Sequence, residues 1–256
     1  MSTTKDVIRI AAVGDIHCTK TSQGMLQPLF MQASQTADVL LLCGDLTDYG
    51  LAEEADVLVN ELAAATIPVV AVFGNHDYEA GQPDMVQRIL TDAGVKVLDG
   101  EACEIAGIGF AGVKGFAGGF GSRMLQAWGE PLIKQFVHEA VEEALKLESA
   151  LAKLQTSQRI AVLHYSPIEA TVAGEPCEIL PFLGSSRLED PLNRFAVTLA
   201  VHGHAHHGQL EGRTSQEIPI YNVAMPLLAQ HFPTQPPFRL LEVPVNQAIS
   251  DRQLAT

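Results

Sequence analysis

The chain contains 256 residues, of which 47% are hydrophobic and 18% are charged, and this composition excludes a largely disordered protein. Acidic residues outnumber basic residues 30 to 16, which gives a net charge of −14 and disfavours stable binding to nucleic acid through its phosphates. The charge does not exclude a small phosphate-ester substrate, because bound metal ions reverse the local field.

The four cysteines are far apart and form no CxxC pair, which excludes a zinc ribbon or a thioredoxin-like motif. The first residues lack the pattern of a signal peptide, and no apolar run is long enough to cross a membrane. We therefore expect a cytoplasmic protein with no membrane span. Because we find no linker and no internal repeat, we expect a single domain over residues 1–256.

The first third of the chain alternates between short apolar runs and amphipathic patterns. The apolar runs end in glycine and predict strands buried on both faces: Val7–Val13, Val39–Cys43 and Val69–Phe73. The patterns between and after them repeat every three to four residues and predict helices: Gly24–Thr36, Leu51–Ala65 and Pro83–Ala93. This alternation predicts a parallel sheet with helices against it.

The rest of the chain predicts more strands around one long helix. The strands are expected at Val95–Leu98, Ala102–Ile105, Ile108–Val113, Ile160–Leu163, Val197–Val201, Ile218–Val223 and Phe238–Val243. The helix is expected at Leu132–Leu154, where an apolar stripe faces inward. Residues 114–131 and 166–191 are rich in glycine or proline and predict loops or cap insertions, which in connections of this length usually serve a function.

Polar side chains follow five of the predicted strands directly. They are Asp15 and His17, Asp45, the run Asn75-His76-Asp77, His164, and the pair His204 and His206. Because ligands bind at the carboxyl ends of strands in open α/β sheets, we expect these side chains to converge. Carboxylate, amide and imidazole groups suit Mn²⁺, Fe²⁺, Zn²⁺ or Ni²⁺. There are too many of them for one ion, so the sequence predicts two divalent ions that share one carboxylate.

In type and order, these segments resemble the motifs of the calcineurin-like metallophosphoesterases. The shared pattern is Asp-x-His, Gly-Asp, Gly-Asn-His-Asp, a single His and Gly-His-x-His, and the resemblance covers about residues 8 to 223. It implies an α/β fold: a four-layer α/β/β/α sandwich in which two mixed sheets pack together and helices lie outside.

The resemblance also implies a role for each site residue. The first ion would be held by Asp15, His17 and His206, and the second by Asn75, His164 and His204, with Asp45 bridging both. His76 would contact the phosphoryl oxygen or protonate the leaving group, and Asp77 would orient it. Ligand histidines usually donate their other N–H to an acceptor, and Asp48 is a candidate for that contact.

The expected function is hydrolysis of phosphate esters, as a phosphodiesterase or phosphatase, in which a hydroxide bridging the two ions attacks phosphorus in line. Lys114, Arg123 and Arg187 are candidate substrate contacts, because they are cations in loop-like segments. One alternative is a pyrophosphohydrolase acting on a nucleotide-sugar or a dinucleotide. Another, from a different class, is a metal-bound interaction module without catalysis. The sequence leaves the native metal and the oligomeric state open.

Overall fold

The computed structural model describes residues 6–245, which form eleven strands and six α-helices. The strands are β1 (Val7–Val13), β2 (Val39–Cys43), β3 (Val69–Val72), β4 (Lys96–Val97), β5 (Glu101–Ile105), β6 (Ile108–Gly112), β7 (Gln158–Val162), β8 (Leu199–His202), β9 (Glu211–Arg213), β10 (Pro219–Asn222) and β11 (Arg239–Pro244). The helices are α1 (Gln27–Thr36), α2 (Ala52–Leu62), α3 (Pro83–Asp92), α4 (Pro131–Lys153), α5 (Glu189–Arg194) and α6 (Met225–His231).

The strands form two mixed sheets. The first has the order β11-β1-β2-β3-β4, with β1 to β4 parallel and β11 antiparallel to β1. The second has the order β5-β6-β7-β8-β10-β9, with four parallel central strands and an antiparallel strand at each edge. The parallel strands of both sheets bring their carboxyl ends to a shared edge, where the polar motifs follow them.

Alternate side chains of β2 face opposite layers, as the two-residue period of a strand requires. Leu40 and Leu42 pack in one apolar cluster with side chains of α1 and α2. Val39 and Leu41 pack in a second cluster with Phe110 and other side chains of the second sheet. A continuous apolar run was needed here because both faces of β2 are covered.

The outer face of the second sheet is covered by α4. Ala161 of β7 and the following Leu163 pack in a third cluster with Leu147 and Leu151 of that helix. The order of the layers is therefore helices, first sheet, second sheet, helices. This confirms the four-layer sandwich with two packed mixed sheets and helices outside.

Apart from the first residues of α4 and α5, the two predicted insertions contain no strand and only short 3-10 turns, and their backbones hydrogen-bond to each other. The Gly118 N–H donates to the Pro181 carbonyl at 2.7 Å, and the Gly119 N–H donates to the Gly184 carbonyl at 2.9 Å. The prediction of a loop over all of 166–191 was wrong at its end, because α5 begins at Glu189. The sequence did not predict β9 and α6, which are short elements.

The 114–131 segment is held to α4 by a buried carboxylate. Glu143 accepts from the Gly115 N–H at 2.7 Å and from the Lys146 ammonium at 2.8 Å. A buried glutamate on the inner face of α4 was not predicted. Both oxygens of the Glu143 carboxylate accept hydrogen bonds, which explains how the charge is tolerated there. No helix within residues 6–245 is long and apolar enough to cross a membrane.

Candidate metal centre

The predicted ligands lie at the ends of adjacent strands in both sheets. Asp15 and His17 follow β1, Asp45 follows β2 and Asn75 follows β3 in the first sheet. His164 follows β7, and the pair His204 and His206 follows β8, in the second sheet. The site therefore spans the junction between the two sheets, and its side chains come from positions up to 191 residues apart along the chain.

Four of these residues hold a left-handed backbone conformation. Their φ angles are 57° at Asp15, 42° at His17, 47° at Asp45 and 69° at His204. Each residue other than glycine in this left-handed backbone conformation costs about 1–3 kcal/mol of stability, so the surrounding structure must impose the conformation. Concentrated backbone strain of this kind is typical of functional sites.

Two motif glycines are required because the ligands approach their Cα atoms closely. A Cβ atom on Gly74 would overlap the Asp45 carboxylate, and one on Gly203 would overlap the Asp15 carboxylate. The Gly-Asn and Gly-His pairs in the sequence therefore reflect the space that the buried carboxylates occupy.

The first ligand group consists of Asp15, His17 and His206, whose donor atoms all lie within 4.8 Å of one another. Asp15 is fully buried, and its Oδ1 lies 3.1 Å from His206 Nε2. Burial alone would raise the pKa of Asp15, but the hydrogen bond to His206 and the nearby histidine charges outweigh burial and lower it. The same bond raises the pKa of His206 against its own burial.

The second ligand group consists of Asp45, His164 and His204, again with donor atoms within 4.8 Å of one another. His164 Nε2 lies 3.0 Å from Asn75 Oδ1 and 3.4 Å from Asp45 Oδ1. His164 Nδ1 lies 3.0 Å from the Cys43 carbonyl. The Cys43 carbonyl can only accept, so Nδ1 donates to it, and Nε2 is the nitrogen that faces the oxygens of Asn75 and Asp45.

His204 is held in the same way by a carbonyl of the 166–191 segment. Its Nε2 lies 3.2 Å from the Phe182 carbonyl, which leaves Nδ1 as the free donor atom. Burial, and after it the neighbouring His164, lower the pKa of His204 to about 3. The imidazole is therefore neutral at physiological pH, as metal ligation requires.

Asp45 lies between the two groups. Its Oδ2 is 3.8 Å from His17 Nε2 and its Oδ1 is 3.4 Å from His164 Nε2. A third group joins His17, Asp45 and His76, so this carboxylate is within reach of donors on both sides. Asp45 therefore lies within 4 Å of one histidine of each ligand group.

His76 contacts a backbone carbonyl rather than the Asp77 side chain. Its Nδ1 lies 2.7 Å from the Asp48 carbonyl, and its backbone N–H donates to Asp45 Oδ1 at 2.9 Å. Burial lowers the pKa of His76, but the bond to Asp48 and the charges of Asp45 and Glu79 outweigh burial and raise it. The carbonyl fixes the proton on Nδ1 and leaves Nε2 free to give or take a proton.

The expectation that Asp77 orients the His76 ring was therefore wrong. Asp77 is fully buried and accepts hydrogen bonds from the N–H groups of Leu46, Thr47 and Gly74 and from the Thr47 hydroxyl, at 2.7 to 3.2 Å. Burial raises its pKa to about 6 against the effect of these bonds. Asp77 fastens the loop after β3 to the loop after β2, which sets the position of Asp45 and His76 indirectly.

The Asp48 carboxylate lies beside the His17 ring. Its Oδ1 lies 3.2 Å from His17 Nδ1, although the geometry is not that of a hydrogen bond and this buried nitrogen has no other partner. With its carbonyl on His76, Asp48 contacts two of the site's histidines.

The three candidate cations differ in position. Arg123 lines a cavity beside His204, and no hydrogen bond or ion pair engages its guanidinium within residues 6–245. The Lys114 ammonium bonds the Gly115 carbonyl and lies 4.9 to 5.6 Å from the centres of three aromatic rings. Burial lowers the pKa of Lys114. Arg187 donates to the Leu125 carbonyl and lines a different groove, between α4 and α5, so the structure does not place it at the site.

The sequence did not indicate the groups that hold the rings of three histidines of the site. The carbonyls of Cys43, Asp48 and Phe182 fix three histidines, but a backbone carbonyl has no signature in a sequence. Tyr165 was also not predicted, although its ring centre lies 4.5 Å from that of His204. The position of Tyr165 directly after a ligand was the only available signal.

The donor set fits two divalent ions. Two buried carboxylates, one amide and four imidazoles converge, and carbonyls hold two of the imidazoles in the form that can bind a metal. A fold of two packed mixed sheets with such donors at the strand ends defines a metallophosphoesterase. The family model of the calcineurin-like phosphoesterases matches residues 8–208, and the chain belongs to that family.

Comparison with individual proteins gives more distant similarities. A probable cyclic nucleotide phosphodiesterase of Moraxella catarrhalis is 37% identical over 81 residues, which cover 29% of each chain. The crystal structure of a phosphopantetheinyl hydrolase from Mycobacterium tuberculosis is 16% identical with a TM-score of 0.64, covering 97% of this chain and 98% of that one. A purple acid phosphatase from yellow lupin is 14% identical with a TM-score of 0.52, covering 78% of this chain and 38% of that one. At these identities the structural neighbours share the fold.

Proposed function

We propose that the protein hydrolyses phosphate esters with two divalent ions, held by Asp15, His17 and His206 on one side and by Asn75, His164 and His204 on the other. The observation that supports this most strongly is the position of Asp45, whose oxygens lie 3.8 Å and 3.4 Å from one histidine of each group. When bound, the ions would neutralise charge on the phosphoryl group and lower the pKa of the water that attacks phosphorus.

The chain's own residues orient the reaction and move a proton. His76, held through Nδ1 by the Asp48 carbonyl, keeps Nε2 for the phosphoryl oxygen or the departing alcohol. Its raised pKa favours the protonated form, which suits an acid that donates to the leaving group. A module without catalysis would have no need for a histidine fixed in this way. No observation favours a pyrophosphate substrate over an ester.

We infer a preference for diesters over monoesters. A monoester carries a second negative charge, which cationic side chains commonly neutralise. Of the three cationic candidates, only Arg123 lines the cavity. The Lys114 ammonium is enclosed by aromatic rings, and Arg187 donates to the Leu125 carbonyl. The partial relative named as a phosphodiesterase supports the same preference. The four free cysteines support a reducing compartment such as the cytoplasm.

The deciding experiment is a pair of assays on metal-stripped protein reconstituted with Mn²⁺. The substrates are 4-nitrophenyl phosphate and bis(4-nitrophenyl) phosphate, and the bound metal is counted in the same sample. We expect two ions per chain and a higher kcat/KM for the diester. A higher kcat/KM for the monoester would overturn the diester preference, and two bound ions with no turnover of either ester would overturn the proposed activity.

A further inference from the structure

A cavity of about 550 Å³ lies beside the candidate metal centre. Its walls come from the two insertions and from the first turns of α4. Most of its lining side chains are apolar, among them Phe120, Leu125, Ile133, Phe136, Leu180 and Phe182. The volume is in the range of pockets that bind small molecules.

The cavity adjoins the ligand set through one residue. The side chain of Phe182 forms part of its wall, and the Phe182 carbonyl lies 3.2 Å from His204 Nε2. The metal-binding atom of His204 is Nδ1, so the cavity lies across the His204 ring from a phosphoryl group at the metal centre, and a substituent on that group would reach it past this ring. The wall is also fixed in place, because the Gly118 N–H donates to the Pro181 carbonyl and the rings of Phe136 and Phe182 meet edge to face at 6.4 Å.

We propose that this cavity binds an apolar alkyl or aryl group esterified to the phosphate, so that the substrates are phosphate esters with a hydrocarbon-like substituent. This inference rests on the proposed hydrolase function and names its substrate class. Arg123 is the cationic side chain of the cavity lining, and it is exposed.

The polarity of the lining argues against a nucleobase as the occupant. A base has several polar atoms on its edge, and each one buried without a partner costs free energy. Besides backbone groups, the polar side chains of the lining are those of Arg123, Glu169 and Cys177. Exposed apolar side chains in the same insertions, Trp128, Ile179 and Phe182, fit a ligand with a large apolar surface.

The test measures inhibition of 4-nitrophenyl ester hydrolysis by methyl-, butyl- and octylphosphonate on the Mn²⁺-loaded enzyme. Each fully buried CH₂ group strengthens binding by up to about fourfold. We therefore expect octylphosphonate to bind at least about 100-fold more tightly than methylphosphonate. Ile133→Asn, in the cavity wall, should reduce this ratio at least tenfold, whereas Leu132→Asn, on the exposed neighbouring position, should leave the ratio unchanged.

Equal affinity for the three phosphonates, with hydrolysis intact, would overturn the cavity assignment and leave the proposed function standing. Tighter inhibition by the phosphonate analogue of adenosine monophosphate than by octylphosphonate would also overturn it, in favour of a nucleobase. Absence of hydrolysis would instead count against the proposed function.

A second measurement tests the cavity without any activity. Cys177 lines the cavity and is exposed, whereas Cys103 lies on β5 and lines a different groove. We expect octylphosphonate to slow alkylation of Cys177 by N-ethylmaleimide at least threefold in the Mn²⁺-loaded protein, with the rate at Cys103 unchanged. Unchanged alkylation of Cys177 at saturating octylphosphonate would contradict the proposal.

Discussion

The Nδ1 atom of His17 lies 3.2 Å from the Oδ1 atom of Asp48. This nitrogen is buried and has no hydrogen bond, so the nearby carboxylate is the group available to accept its proton when Nε2 binds a metal. Outer contacts of this kind orient a ligand ring and raise its basicity. We therefore propose that Asp48 positions His17 for metal binding.

Replacing Asp48 by alanine should weaken metal binding about 10- to 100-fold, because His17 loses the acceptor that orients it. The backbone carbonyl that holds His76 is retained in this variant. Metal affinity, measured by competition with a chelator, checks the prediction. Asp56→Ala is the matched control, since Asp56 is exposed on α2. Equal affinities in the two variants would show that Asp48 does not act through His17.

Replacing His76 by alanine should keep both ions and lower the rate about 10²- to 10⁴-fold, the typical contribution of a general acid. No predicted ligand loses its hydrogen-bond partner in this variant, because the His76 ring bonds only the Asp48 carbonyl. Activity and elemental analysis of the same sample check the prediction, with exposed His138→Ala as the control. Loss of an ion would instead identify His76 as a ligand. That alternative exists because His76 lies in the third donor group, with His17 and Asp45.

Replacing Asp45 by asparagine should remove both ions, because this side chain lies between the two ligand groups. Asparagine keeps the volume and one oxygen but not the negative charge that two cations share. The metal content after dialysis checks the prediction, and Asp92→Asn, exposed at the end of α3, is the control. Two ions still bound to Asp45→Asn would mean that the residue is not the bridge.

Replacing Gly74 by alanine should displace Asp45 and reduce metal content, since the added Cβ atom would overlap the carboxylate. Gly81→Ala is the control, because Gly81 has open space around it but a positive φ of 67°. The control should lose about 1–2 kcal/mol of stability from the left-handed backbone and keep its metal. If Gly74→Ala binds metal as tightly as Gly81→Ala, the close approach does not control the site.

The sequence predicted the parts of the fold that depend on local patterns. The bounds of β1 and β2 agree with the prediction because each is a short, largely apolar run that ends in glycine. Strand β9 has three residues, two of them exposed, and so carries no periodicity that could reveal it. The end of the 166–191 segment was also missed, because Pro191 was taken as a loop signal but lies in the first turns of α5.

The candidate site was predictable for a different reason. Its side chains follow strands directly, and parallel strands place their ends together, so the sequence was enough to expect these side chains to converge. The grouping of Asp15 with His206 came from the resemblance to the calcineurin-like metallophosphoesterases, and their donor atoms lie within 4.8 Å of each other. What could not be predicted is contact through backbone atoms or across distant loops. The role of Asp77 was misassigned because proximity to His76 in sequence does not fix where a carboxylate points, and here it points toward the loop after β2.

The pairing of β1 with β11 joins the two ends of the described chain, with Val7 opposite Pro244 and Ile10 opposite Leu241. During synthesis, β1 emerges more than two hundred residues before its outer neighbour. Throughout that interval one edge of β1 carries unpaired backbone N–H and C=O groups, which can pair with strands of other chains. The nascent chain therefore exposes this edge of β1 until β11 is made, and shielding of β1 by a chaperone would matter most in that interval.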